Sequence, residues 1–206
     1  MMNDLKAIAY STLAMLVLTP AIALAETWDV DTAHASAQFS VKHMMVSNVR
    51  GEFGNIKGTI EINPRDISQS TVLVEIDART LDTGNDKRDE HLKSADFFDV
   101  TKYPKMTFTS TQVKRAGDGK LAVTGDLTMR GITKPVTLDV EGPTPTVVSP
   151  WGTKVSGVHA TAVIDRKDWG LTWNKNLDAG GVVVADEVKI TLDVELIRND
   201  RKVSTR

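Results

Sequence analysis

The chain has 206 residues, with 25 Lys and Arg set against 27 Asp and Glu, for a net charge of −2. Hydrophobic residues make up 41% and charged residues 25%, a globular composition that excludes a disordered or collagen-like protein. The charge balance offers no basic excess for nucleic-acid binding, and the lack of cysteine excludes disulfides, zinc–thiolate sites, iron–sulfur clusters and cysteine nucleophiles.

Residues 1–25 read as a secretory signal peptide. Lys6 supplies the positive end, an apolar run covers Leu13 to Leu18, Pro20 breaks it, and Ala23-Leu24-Ala25 fits a small-x-small cleavage site. Cleavage there leaves a chain that starts at Glu26. No later stretch is long and apolar enough to span a bilayer as a helix, so the expected address is periplasmic.

From residue 35 onward the dominant pattern is a period of two, the mark of half-buried strands. Ala35, Ala37, Phe39 and Val41 alternate with polar residues, then Val49, Gly51 and Phe53 do the same. The phase slips at Gly54-Asn55, which predicts a bulge or tight bend before Ile56, Gly58, Ile60 and Ile62. Val72 to Ile76, Met106-Thr107-Phe108, Leu121 to Met129, Val136 to Val140 and Val188 to Leu196 follow. Residues 153–164 read as a strand with apolar groups on both phases, so its facing stays open. Turn signals at Asn63-Pro64, Gly117-Asp118-Gly119, Gly142-Pro143 and Gly180-Gly181 separate these runs. Only residues 86–96 look helical, with Asp86 as the expected cap. The pattern is one all-β domain of eight or nine antiparallel strands with one short helix, either a closed barrel or a two-sheet sandwich. Gly51, Gly58 and Gly125 fall on apolar phases, where they permit sharp bending, close backbone approach or an enclosed slot.

Chemistry-bearing motifs are sparse. The four histidines, His34, His43, His91 and His159, lack metal-ligand spacing, so no metal site and no cofactor are expected. No nucleophile elbow, phosphate loop or dinucleotide fingerprint occurs. The run from Asp82 to His91 is the densest polar segment. It reads as a solvated loop with a helix cap, or as a source of general acid–base groups. The Pro143–Trp151 segment is stiff and partly apolar, which suits a contact surface.

Several segments together resemble the YceI-like family of lipid- and polyisoprenoid-binding proteins. They are Val41-Lys42-His43-Met44-Met45-Val46-Ser47-Asn48-Val49-Arg50-Gly51-Glu52-Phe53, Leu81-Asp82-Thr83-Gly84-Asn85, Lys87-Arg88-Asp89-Glu90-His91-Leu92, Ser94-Ala95-Asp96-Phe97-Phe98, Thr124 to Val136 and Arg166-Lys167-Asp168-Trp169-Gly170-Leu171. The likeness covers about residues 27–198. His34 fits the family's early strand histidine, and Trp169 stands where a Phe is expected.

The resemblance implies a lipocalin-like antiparallel β-barrel over residues 26–200, a polar tail at 201–206, export, no catalytic activity and possible homodimers. It implies a polyisoprenoid lipid, including an isoprenoid quinone, held in an apolar channel by a soluble carrier or storage protein. Strand phase and resemblance together give Phe39, Met44, Met45, Phe53, Phe97, Phe98, Phe108, Leu127, Met129, Trp169 and Trp173 as tail-binding candidates. Arg50, Asp82, Arg88 and His91 are the candidates for a head-group rim. The alternative is an enzyme acting on a lipid head group through the Asp82–His91 segment.

Overall fold

The computed structural model describes residues 25–178 and 180–200; the expected signal peptide and the 201–206 tail lie outside the described residues, except for Ala25. Ten strands form: β1 Glu26–His43, β2 Ser47–Phe53, β3 Lys57–Ile62, β4 Thr71–Asp77, β5 Lys105–Gly117, β6 Lys120–Met129, β7 Ile132–Glu141, β8 Val147–Val148, β9 Lys154–Asp165 and β10 Val184–Arg198. Among the described residues, one α-helix, α1 Asp86–Lys93, lies between β4 and β5. Among the described residues, no helix is long and apolar enough to cross a membrane.

The sheet runs β10-β1-β3-β4-β5-β6-β7-β9, and β9 pairs with β10 to close it. Closure leaves no open edge among these eight strands. The sandwich alternative is therefore excluded, and every adjacent pair is antiparallel.

β1 begins nine residues before the period-two run starting at Ala35. Glu26–Asp29 pairs with β3, while Ala37–His43 pairs with β2. The two partners flank the predicted phase slip, where Asn55 takes φ 51°. Between Val30 and Ala35 the β1–β10 register jumps, so Asp31 to His34 bulge opposite Glu195. The period-two reading misses this stretch because a bulge destroys alternation.

Asp86 is not the cap of α1. Asn85 takes that place, its Oδ1 accepting from the Arg88 amide at 3.0 Å. A side-chain carbonyl at this position satisfies one of the orphan amides of the first turn. β9 resolves its ambiguous facing: Ser156, Ala160 and Ala162 are buried, while Val163 is 60% exposed.

The interior has two buried clusters. One, at the α1 end, includes Phe53, Leu81, Phe97, Met106, Trp169 and Leu171. The other contains Phe108, Val113, Val123, Val140 and Ala160. Leu127, Leu138 and Leu192 pack against both.

Candidate functional site

A channel of about 280 Å³ runs through these clusters. Its lining reaches Val41, Val184, Leu92 and Phe98 at the α1 end and Ile62, Ile67, Pro143 and Leu196 at the other. On β10 every second residue from Val188 to Leu196 lines it; at ~3.4 Å per residue that is about 27 Å of strand. The channel is thus long and narrow, near the lower bound of ~300 Å³ usual for small-molecule sites. A slim flexible chain suits such a bore better than a fused-ring ligand.

Only Gln38, Ser70 and Arg166 bring polar side chains to the lining. Ser70 Oγ accepts from the Asn63 amide at 3.0 Å. Arg166 is 4% exposed. Its guanidinium donates to the carbonyls of Leu171, Trp173, Val184 and Ala185 and to Asp186 Oδ1. Those five acceptors match its five N–H donors. Burial pushes the Arg166 pKa below the ordinary arginine value, while Asp186 and Asp165 oppose that shift. No free charge therefore faces the bore.

Two of the inner glycines, Gly51 and Gly125, hold aromatic rings against the wall. A Cβ on Gly125 would lie 2.5 Å from Phe108 Cζ and 2.6 Å from the Thr109 carbonyl oxygen. A Cβ on Gly51 would lie 2.6 Å from Phe39 Cζ, and Phe39 is its direct cross-strand partner. Each ring occupies the space its glycine vacates. The glycines therefore serve close approach, and that approach preserves the lumen.

Of the tail-binding candidates, Phe39, Phe53, Phe97, Phe98, Phe108, Leu127 and Met129 line the channel. Phe53 links Phe39 and Phe98, with ring centroids 5.7 and 5.3 Å away.

Four candidates lie elsewhere. Met44 and Met45 sit at the β1–β2 turn with φ of 48° and 62°, and they are 45% and 54% exposed. The Val46 amide bonds the His43 carbonyl, which closes a type I′ turn that carries both side chains away from the bore. Trp169 is buried behind Leu127, whose carbonyl accepts from its Nε1 at 3.0 Å. Trp173 packs on His91 and Phe97, at 4.8 and 5.3 Å.

The rim candidates also divide. Arg50 and Asp82 line a second, outer cleft of about 380 Å³ with Gln38, Glu52, Thr83 and Thr191. Phe39 and Gln38 border both spaces, so this cleft backs onto the channel at Gly51. Arg88 is tied to Thr83, donating to its Oγ1 at 2.7 Å and its carbonyl at 2.9 Å. Buried Asp89 accepts from the Thr83 amide and hydroxyl. His91 turns from the cleft to Asp96, 2.9 Å away. The Asp82–His91 segment thus spends Arg88, Asp89 and His91 on ordering the α1 end.

Among the described residues, one group has metal-ligand chemistry: Asp31, His34 and Glu195, with ligand atoms within 4.8 Å of one another on the β1 bulge. His34 Nδ1 lies 2.8 Å from Asp31 Oδ2. That hydrogen bond lowers the Asp31 pKa and raises that of His34. An ion pair accounts for the arrangement.

Sequence reading missed Arg166 as a channel residue. It stands in Asp165-Arg166-Lys167-Asp168, and nothing local says which of four charges turns inward. It also missed most aliphatic lining, although the inward phase of β4, β7 and β10 carried the signal.

The fold and site define a class: a closed antiparallel β-barrel round a continuous apolar channel. The YceI-like domain matches residues 28–196, and the chain belongs to that family. A UPF0312 protein of Vibrio cholerae is 40% identical over 161 residues, covering 77% of this chain and 85% of the relative. The crystal structure of BcnA from Burkholderia cenocepacia superposes with a TM-score of 0.69 at 25% identity, covering 81% of this chain and 98% of BcnA. A polyisoprenoid-binding domain from Saccharophagus degradans, implicated in plant cell wall breakdown, superposes at 0.57 over 85% of this chain and 99% of that one. At 17% identity the last likeness concerns the fold alone.

Proposed function

We propose that this protein binds a polyisoprenoid or comparable long-chain lipid in its barrel and serves as an exported carrier or store. The observation that carries the reading is the channel itself, about 280 Å³ and lined by apolar side chains with no unengaged charge. Phe39, Phe53, Phe97, Phe98, Phe108, Leu127 and Met129 are the proposed tail contacts. Arg50 and Asp82, in the cleft behind Phe39, are the proposed head-group contacts. An isoprenoid quinone suits such a site because its head is uncharged. The engagement of Arg88, Asp89 and His91 in structural bonds favours binding over catalysis. The N-terminal sequence supports export with loss of residues 1–25.

Burying one methylene is worth about 0.8 kcal/mol, or roughly fourfold in affinity. Part of that gain is offset by ordering the tail. Titration with prenyl alcohols of increasing length tests the reading. Affinity is expected to rise with length until the bore is full and then level off. Affinity independent of length, or no binding at any length, overturns it.

A further inference from the structure

We infer that lipid enters the bore sideways, from the outer cleft past the ring of Phe39, which is the gate between the two spaces. The inference rests on the lipid-binding reading and gives that site its entry route. A molecule with its tail in the bore and its head beside Arg50 and Asp82 must cross the wall between them. Phe39 and Gln38 border both spaces. Phe39 is half-buried, whereas Phe53 and Phe108 are buried.

The opening is built by Gly51. A Cβ there would lie 2.6 Å from Phe39 Cζ and 2.7 Å from Thr83 Cγ2, so ring and methyl meet over a residue without a side chain. The two halves of this seal differ in freedom. Thr83 is fixed: Asp89 accepts from its amide at 3.0 Å, and Arg88 donates to its hydroxyl at 2.7 Å and to its carbonyl at 2.9 Å. Phe39 is held by packing, with the Phe53 ring centroid 5.7 Å away. Turning the Phe39 ring about its side-chain torsions unseats it from Gly51 without breaking a hydrogen bond.

The wall around the gate is lightly tied. Among the described strands β2 lies off the closed circuit of eight and pairs with β1 alone. Its other edge meets Asp82 in an isolated bridge, with bonds of 2.8 and 3.0 Å between Glu52 and Asp82. The barrel ends are fastened by charged groups. At the α1 end Arg166 donates to the carbonyls of Leu171, Trp173, Val184 and Ala185. At the other end Arg198 lies over buried Trp28, 5.4 Å from its ring centre, and bonds Glu26 at 2.6 Å. Entry through either end must work against these bonds, whereas the side route moves one ring.

The test is stopped-flow mixing of the protein with geranylgeraniol, followed by tryptophan emission. Phe39→Ala is expected to raise the association and dissociation rates together, each about tenfold, because a step that gates binding limits both. The chain has no cysteine, so a Ser40→Cys variant takes a bulky polar maleimide at one place, inside the cleft. That adduct is expected to slow association about tenfold or more. The same adduct on Val148→Cys, 62% exposed on the connection between β7 and β9, is expected to leave the rate unchanged. Circular dichroism checks that each variant is folded, and the Ser40 adduct decides the question if Phe39→Ala is not. Association unaffected by the Ser40 adduct, slowed equally by the Val148 adduct, or unchanged in a folded Phe39→Ala barrel overturns the gate while leaving the lipid-binding reading intact. No geranylgeraniol binding by the unmodified protein overturns the reading itself.

Discussion

At the residue scale, single polar groups fix the walls of an apolar channel. Asp77 ends β4 and starts the turn that leads to α1. Its carboxylate accepts from Arg79 at 2.8 and 2.7 Å and from the Arg79 amide at 3.0 Å. The Arg79 guanidinium holds the Asp77 pKa down to about 2, below its ordinary 3.8. A depressed carboxyl adds stability above its unfolded pKa and loses it as pH falls through the folded one. Asp77→Asn is therefore expected to cost about 1 kcal/mol or less at neutral pH, because Arg79 is largely in solvent. In urea unfolding the gap between variant and wild type should close as pH falls from about 4 to 2. A gap independent of pH assigns the residue to packing. Arg166→Met tests the opposite regime. It removes the donors to the carbonyls of Leu171, Trp173 and Ala185, while Val184 keeps Asn174 at 2.7 Å. A loss of about 3 kcal/mol is expected in the same assay. An unchanged midpoint would mean that residues 171–185 hold themselves.

At the scale of elements, the inner glycines decide whether the bore stays open. Gly125→Ala would meet both the Phe108 ring and the Thr109 carbonyl, and the latter is backbone that cannot swing aside. The nearest atoms that Gly51→Ala would meet belong to the side chains of Phe39 and Thr83. The Gly125 change is expected to cost about 1–3 kcal/mol and the Gly51 change less. Denaturant midpoints of the two variants check the order, and the reverse order would contradict the packing argument. The sequence placed these glycines on the apolar phase but could not tell a bend from a close approach. That choice depends on which ring arrives from the neighbouring strand. Met44 and Met45 show the complementary limit of residue type as a guide to placement. Their apolar character suggested the interior, yet both occupy left-handed positions usually taken by Asn and Gly.

At the scale of the molecule, alternation made the strands and the all-β class legible, because burial on one face imposes a period of two. Barrel closure was not legible in the alternation, since it depends on β9 meeting β10 across the chain. The β1 bulge and the inward Arg166 were hidden for the same reason: a partner elsewhere decides them. Half of the rim candidates have partners elsewhere for a related cause. Arg88 and His91 are polar and near the site, but Thr83 and Asp96 engage them. What remains is a bore with few demands except length and apolarity. Native mass spectrometry of the protein, isolated without detergent, tests that claim most directly. The expected result is one long-chain apolar molecule per barrel, released into organic solvent. A barrel that keeps its bare sequence mass, before and after incubation with prenyl lipids, would contradict it.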